Sequence, residues 1–377
     1  MRVAVESSTV LGVPCGMRTY TVELLRRLCA QNPGDEYLFY AARWAAFPPA
    51  ERAWPGPRPA NLRLHLKRFP FSPMLSLEHR FGLPVEEALL LPRLDVYHGA
   101  GQFLPRLRRT PSVLTLHHWQ DLRHHQGSFK SFYYTTVYEQ SIRWADRIIT
   151  VSNYTKRFLL EHFKFPEERV RTVYHGIFDP LPVVGPEAVA ALRLKYGLPE
   201  RFILCLSRIN RGKNVLRLVS AFKRVAERRQ EVGLVLAGHA DADLLPEVEA
   251  AVAAAGLGAR VVLTGAVLDS EVPAFYAACD SFVFPSTSEG FGIPVIEAMS
   301  LGRPVAASTA CSLPEVVGDA GLLFDPADEG AMGDAMLELL DNGPLREALV
   351  AKGRARAARF TWAETARATR AVYAELT

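Results

Sequence analysis

Apolar and polar positions along this chain follow two periods that alternate. In the first half, short apolar runs of β character occur at Met1–Glu6, Val113–His117, Arg147–Val151 and Val170–Tyr174. Between them the spacing turns helical. Over Tyr20–Leu28, Val22, Leu24, Leu25 and Leu28 share one face while Arg26 and Arg27 point away. Tyr133–Trp144 and Tyr154–Phe163 read the same way, and Ser152 supplies an N-cap for the second. Gly185-Pro186 breaks the rhythm and Gly185–Leu198 reads as a linker with a short helix. The pattern then restarts. Strands are predicted at Phe202–Leu206, Gly233–Ala237, Val261–Leu263, Ser281–Pro285 and Pro304–Ala307, with helices at Val215–Arg228, Val272–Ala278 and Pro294–Ser300. Alternating β and α segments imply parallel sheets with right-handed crossovers. Two such runs predict an α/β protein of two doubly wound, Rossmann-like domains, residues 1–182 and 183–377, facing each other across a cleft. Ligands in such sheets bind beyond the carboxyl ends of the strands. A last helix, about 361–377, opens with the capping box Thr361-Trp362-Ala363-Glu364, and either domain could receive it.

Composition narrows the class. With 49% hydrophobic and 22% charged residues over 377 positions, the chain is an ordinary globular protein rather than a disordered one. There is no run of about 18 uncharged apolar residues, so no transmembrane helix is expected. Glu6 interrupts the N-terminus too early for a signal peptide, which points to the cytoplasm. Five scattered cysteines without a CxxC pair argue against disulfides or zinc, and Cys205 reads as core filling. The net charge of +4 hides an asymmetry: residues 1–180 carry 24 Lys and Arg against 16 Asp and Glu, whereas residues 181–377 carry 20 against 24. The asymmetry reads either as two halves that face different partners or as a solvated basic surface on the first half. Basic and aromatic residues from Arg63 to Phe81, with Arg106, Arg108 and Arg109, read either as core packing with a solvated basic face or as a surface for anionic lipid. No nucleic-acid-binding motif accompanies the charge.

The residues with the clearest chemistry follow the uncharged strand at 281–285. Ser286-Thr287-Ser288-Glu289-Gly290-Phe291-Gly292-Ile293-Pro294-Val295-Ile296-Glu297 is a glycine turn that opens a helix. The glycines permit close backbone approach, Pro294 suits the first helical turn, and free amides there form an anion site suited to a diphosphate. Glu289 lies before the glycines and Glu297 one turn into the helix, where a carboxylate can accept two hydrogen bonds from a ribose diol. Upstream, Arg208 and Lys213 in Leu206-Ser207-Arg208-Ile209-Asn210-Arg211-Gly212-Lys213-Asn214 offer fixed cations to a leaving phosphate, and Arg211 is a neighbour that points to solvent. Asp241-Ala242-Asp243 could bind a divalent ion but reads better as a solvated loop. His117 ends the central strand Val113-Leu114-Thr115-Leu116. With His118, His124 and His125 it makes a cluster without a standard zinc spacing.

The Glu289…Glu297 spacing resembles the E-x7-E motif of retaining glycosyltransferases with the GT-B fold, in particular glycosyltransferase family 4. The resemblance extends along most of the chain. Arg208 and Lys213 resemble the family's phosphate clamp, Leu236-Ala237-Gly238 and Leu263-Thr264-Gly265 its strand ends, Leu313-Pro314-Glu315-Val316-Val317 a C-terminal block, and Asp146–Ser152 its "ADxIITVS" element. The resemblance implies a retaining, metal-independent hexosyltransferase that uses a nucleotide sugar as substrate and needs no cofactor. GDP-mannose is the favoured donor and a UDP-sugar the second. The implied acceptor is a saccharide or lipid-linked saccharide in bacterial glycan synthesis, with the inner face of the membrane as a docking surface. Glu289, His117, Arg208 and Lys213 take the catalytic roles. Arg208, Lys213, Gly290, Phe291, Gly292, Ile293, Glu297 and Gly16 bind the donor, and Gly16, His117 and His118 the acceptor. The chain departs from the pattern twice: His118 stands where the family often has Asp, and Cys15 interrupts the usual double glycine before Gly16. Two other readings remain, a non-catalytic glycan-binding or scaffold subunit and a sugar-nucleotide epimerase, both on the same fold.

Overall fold

A computed structural model of the chain describes residues 1–6, 16–43, 54–69, 78, 80–101, 103–118, 129–177 and 181–377, with 129–135 described by their backbone alone. Gly12, Cys15, His124, His125 and the whole stretch from Pro70 to Leu77 therefore lie outside the described residues. The chain divides into two compact units, Met1–Gly176 together with Trp362–Thr377, and Ile177–Thr361.

The first unit is built on a seven-stranded parallel sheet: β1 (Arg2–Glu6), β2 (Glu36–Arg43), β3 (Leu62–Arg68), β4 (Val96–Gly99), β5 (Ser112–Leu116), β6 (Arg147–Thr150) and β7 (Val170–Thr172). Its order is β3-β2-β1-β4-β5-β6-β7. Because successive strand side chains point to opposite faces, each strand fills two layers. Val3, Val5 and Val113 meet Leu24, Leu25 and Leu28 of the helix Gly16–Gln31. Ala4, Leu114 and Ile148 meet Tyr138 and Ile142 of the helix Phe129–Trp144. The helix Asn153–Phe163 begins where its cap is predicted, with the Ser152 hydroxyl accepting from the Thr155 amide at 3.1 Å. The C-terminal helix Trp362–Ala374 buries Trp362, Ala366 and Tyr373 against the β1 face. Ion pairs flank that seam, Arg370 to Asp35 at 2.8 Å and Arg147 and Arg171 to Glu375 at 2.9 Å each.

The second unit holds a six-stranded parallel sheet: β8 (Arg201–Leu206), β9 (Val232–Ala237), β10 (Val261–Gly265), β11 (Ser281–Phe284), β12 (Val305–Ser308) and β13 (Leu322–Phe324), in the order β10-β9-β8-β11-β12-β13. The helix Val215–Arg228 turns Leu218, Val219, Phe222 and Val225 inward, and the helix Glu329–Asp341 adds Met332, Met336 and Leu340 to the same core. Cys205 is buried there, its thiol pushed up to about 12 by desolvation, as expected of core filling.

In each sheet the strand order reverses once. The reversal lies between β1 and β4 in the first unit and between β8 and β11 in the second. Loops leaving adjacent strands at such a point part to opposite faces and leave a crevice at the carboxyl edge. Among the described residues no helix is long and apolar enough to cross a membrane.

Candidate active site

In the second unit the crevice between β8 and β11 is built by two loops tied to each other. After β8 the chain enters a 3-10 turn, Arg211–Lys213, capped by Asn210, whose side-chain oxygen accepts from the Lys213 amide at 3.1 Å. Asn214, with a left-handed φ of 57°, sends its side-chain amide to the carbonyls of Pro285 (3.2 Å) and Pro326 (2.8 Å). From the other side, the Thr287 amide and Ser286 hydroxyl donate to the Gly212 carbonyl at 2.8 and 3.0 Å. These bonds bring Lys213 against Glu289. The Lys213 ammonium donates to Glu289 Oε1 and lies 5.4 Å from the Phe284 ring centroid. Both side chains are mostly shielded, 20% and 12% exposed, so the pair is more than a loose surface bridge.

The glycine turn is held from below. Ser312 donates to the carbonyls of Glu289 and Phe291, 3.0 Å each. Gly292 has φ +106°, and a Cβ there would lie 2.7 Å from Leu313 Cδ2, so the position demands glycine twice over. Gly292 precedes the helix Ile293–Ser300, and no side chain caps that N-terminus. Pro294 has no N–H and the Val295 amide donates to the Gly292 carbonyl at 3.1 Å, which leaves the first-turn amide of Ile293 and the helix dipole to favour an anion. Phe291 turns its ring inward onto Phe360, with centroids 5.6 Å apart, so it offers a ligand its backbone rather than its ring.

Glu297 is half-buried. The Tyr276 hydroxyl donates to its Oε2 at 3.1 Å and also meets the Pro294 carbonyl at 3.2 Å. Desolvation outweighs that hydrogen bond and raises the carboxyl to about 7. Arg208 is largely exposed and pairs with Asp241 at 2.7 Å. Arg211 is turned outward onto Glu247. Sequence reasoning missed Tyr276, Asp241 and Ser312. An isolated tyrosine on a neighbouring helix carries no local signal, whereas Asp241 stood in the Asp241-Ala242-Asp243 stretch read as a solvated loop.

In the first unit, His117 follows β5, and its Nε2 lies 2.9 Å from the Ala100 carbonyl just past β4. A carbonyl only accepts, so Nε2 carries the proton and Nδ1 is left as an acceptor in the neutral ring. Desolvation lowers His117 to about 4, which keeps it neutral. Tyr20 meets the ring edge-on at 4.6 Å and His175 stacks on it at 5.4 Å. Behind them, fully buried His98 spans Tyr373 Oη and Thr115 Oγ1, 2.7 Å each, and Thr115 Oγ1 also lies 3.1 Å from Tyr20 Oη. None of Tyr20, His98, Thr115, His175 or Tyr373 was singled out from sequence, because their meeting depends on strand order. Gly16 begins its helix exposed, and a Cβ there would touch nothing within 4 Å. His118 is half-buried, its carbonyl accepting from the Tyr138 hydroxyl at 3.1 Å. Among the described residues no set of three or more His, Cys, Asp or Glu is arranged to hold a metal ion.

Comparison with known proteins fits this arrangement. The model of Glycosyltransferase Family 4 matches residues 14–178, and that of group 1 glycosyl transferases matches residues 193–356. The chain is 31% identical over 359 residues to the O-antigen chain mannosyltransferase B of Escherichia coli, covering 92% of both proteins. Its fold is similar to that of sucrose-phosphate synthase from Thermosynechococcus elongatus, with a TM-score of 0.78 and 22% identity over 100% of this chain and 99% of that one. It is also similar to Anabaena HepE solved with UDP and glucose, with a TM-score of 0.74 and 18% identity over the full length of both. With two parallel-sheet Rossmann-like domains of this kind and a full-length relative at that identity, the chain belongs to the family 4 glycosyltransferases of GT-B fold.

Proposed function

We propose that this glycosyltransferase is a retaining, metal-independent mannosyltransferase that takes its sugar from GDP-mannose, with a UDP-hexose as the second choice of donor. The acceptor is a saccharide or lipid-linked saccharide of a bacterial glycan. The Lys213–Glu289 pair beside the uncapped Gly292 turn carries this reading. It sets a cation and the backbone of the glycine turn where a diphosphate would leave, and a carboxylate where the departing sugar would be held. The mannosyl choice is supported by the mannosyltransferase relative, and a nucleotide donor by the UDP and glucose in the HepE structure.

The chemistry then follows from charge. An acceptor hydroxyl attacks the anomeric carbon from the face that the diphosphate leaves, through an oxocarbenium-like state. The C–O bond to phosphate breaks as the new glycosidic bond forms, and the hydroxyl proton passes to the departing phosphate oxygen. Lys213 and Arg208 stabilise the negative charge that grows on that oxygen, with the amides of Gly290–Ile293. Arg208 exchanges Asp241 for phosphate, and Lys213 divides its protons between Glu289 and phosphate. Glu289 accepts from a hydroxyl of the donor sugar. Glu297 holds the ribose diol, with Tyr276 fixing one of its oxygens. His117 accepts a sugar hydroxyl at Nδ1, and Gly16 and His118 lie on the acceptor side. For a lipid-linked acceptor, the exposed Phe81, Leu83 and Leu89 give the first unit an apolar surface.

The test is calorimetric binding of GDP, UDP, ADP and dTDP to the wild type and to Glu297→Ala, followed by transfer from the matching sugar nucleotide with and without EDTA. One diphosphate should bind, more weakly in the variant. The product should keep the donor's anomeric configuration by NMR, and EDTA should have no effect. Inversion of configuration, or loss of activity with EDTA, would defeat the mechanism. Conversion of the donor without any acceptor would favour the epimerase.

A further inference from the structure

The amino ends of β8, β11 and β12, the edge of the second sheet away from the proposed donor site, open into a cavity of about 670 Å³ roofed by the helix Gly343–Ala357. Five arginines line it: Arg193, Arg201, Arg303, Arg346 and Arg354. Arg201 is neutralised by Asp280 at 3.1 Å and Glu231 at 3.2 Å. The other four have no carboxylate within ion-pair distance among the described residues, although Glu200 and Glu347 also line the cavity. Arg193 and Arg303 donate to carbonyls of consecutive residues, Ala278 at 3.1 Å and Cys279 at 3.0 Å. Arg354 lies across the neighbouring Gly302, where an added Cβ would come within 2.4 Å of its Nη2. Among the described residues Arg346 donates to the Leu340 carbonyl alone, at 3.3 Å.

Helix C-termini gather at the amino edge of a parallel sheet, and their carbonyls attract arginine. That accounts for Arg193 and Arg303. It accounts for Arg346 as well, since Leu340 lies in the last turn of the helix Glu329–Asp341, but not for Arg354, which lies against Gly302 and is added from a separate helix to charges of the same sign, in a half of the chain that carries more acidic than basic residues. Like charges gathered in a concave site repel until an anion joins them. Guanidinium forks match phosphate oxygens, and the volume is that of a small-molecule site.

We propose that this cavity is a second anion site, which takes a ligand bearing a diphosphate or two closely spaced phosphates. The inference is independent of the assignment of the donor site. The phosphate can come from a free metabolite or from a phospholipid headgroup.

Calorimetric titration with pyrophosphate tests it, on the wild type, on a donor-site double variant Arg208→Ala/Lys213→Ala, on Arg346→Glu and on Glu347→Gln. The donor-site variant should still bind. Arg346→Glu should weaken binding about tenfold, the scale of one charge-assisted hydrogen bond. Glu347→Gln, an exposed change that removes only a repelling charge, should tighten binding about twofold and so guards against misfolding as an explanation. Flotation with cardiolipin–phosphatidylcholine vesicles, whose anionic headgroup carries two phosphates, separates the sources. Association that pyrophosphate displaces and Arg346→Glu abolishes identifies a lipid headgroup, and pyrophosphate binding without vesicle association identifies a free ligand. Pyrophosphate binding that vanishes in the donor-site variant and ignores Arg346 and Glu347, or no binding of either probe, overturns the proposal.

Discussion

The two carboxyl-edge crevices handle charge in opposite ways. In the second unit the side chains are ionic and held ready to exchange partners: Lys213 on Glu289 and Arg208 on Asp241. In the first unit the polar groups are neutral, buried and already hydrogen-bonded to one another, from Tyr373 through His98 and Thr115 to Tyr20. A site that must meet a diphosphate needs positive charge near water that can change partners. One that orients an uncharged sugar needs a rigid neutral acceptor, and burial supplies both the rigidity and the neutrality. Variants that spare one crevice and disturb the other test this difference.

Lys213→Ala should have the largest effect. It removes the shielded cation closest to the proposed leaving group and should lower turnover about 100- to 1,000-fold, the scale of losing one preorganised electrostatic contact. The fold should hardly change, because Asn210 and Asn214, not the ammonium, tie the loop. Steady-state rates beside a thermal melt separate the two. A collapsed melting temperature with proportionate loss of rate would make Lys213 structural.

Glu297→Gln comes next. A carboxylate should hold a ribose diol more tightly than an amide, so nucleoside diphosphate affinity should fall about tenfold. The same change should stabilise the protein. Glu297 is raised to about 7 from an ordinary 4.5, so the folded state binds the extra proton between those values. Stability from this group is greatest below pH 4.5, falls as pH rises toward 7, and is flat above. At pH 8 the amide should therefore be more stable than the wild type by on the order of 2 kcal/mol, and the difference between the two should vanish near pH 4. Urea titrations at the two pH values measure it. Equal stability at both would mean that Glu297 is better solvated than its place beneath Tyr276 implies.

How far each crevice could be read from sequence follows from the same contrast. The Glu289–Glu297 loop is local: glycines, Pro294 and both carboxylates lie within a dozen residues, and the helix Val215–Arg228 and the strand β8 stand where the periodicity puts them. The first-unit network is not local. His98 and Thr115 come together because β4 pairs with β5, and Tyr373 arrives from the far end of the chain. Strands β2, β3 and β4 went unread, although Leu62, Leu64 and Leu66 alternate plainly. The basic residues Arg63, Lys67 and Arg68 drew the reading toward a docking surface instead. The helices Glu329–Asp341 and Gly343–Ala357 were passed over as well, and with them the arginine cavity that the second one roofs.

His117→Phe addresses the neutral crevice directly. The edge contact with Tyr20 and the stack on His175 can persist with a phenyl ring, while the Nδ1 acceptor is lost. The expected result is about a tenfold fall in kcat/KM for transfer with nucleoside diphosphate binding unchanged. Acid should reveal the cluster in the wild type. His117 is lowered to about 4 and His98 to about 3, both below an ordinary 6.5, so the unfolded chain takes up protons that the folded chain refuses. Their contribution to stability is complete above pH 6.5 and declines as pH falls toward 4. His117→Phe should flatten that part of the curve. A kinetic transition near pH 6.5 assigned to His117 would instead show an ionisable, solvated ring, and the contrast between the two crevices would fail.

Tyr20→Phe is the smallest and most discriminating change. It removes one hydroxyl that shares Thr115 Oγ1 with His98, and it keeps the ring that meets His117 edge-on. If the network only positions His117, the ring does that work. The variant should then lose about 1 kcal/mol of stability, one buried hydrogen bond, with transfer rates within about twofold of wild type. Thr115 retains His98 as a partner. If instead the chain from Tyr373 to Tyr20 passes protons toward the reacting sugar, breaking it at this hydroxyl should lower turnover far more than stability and shift the pH–rate profile. Tyr20 is itself pushed up to about 12 by burial, which makes it a poor proton donor at neutral pH and favours the positioning role.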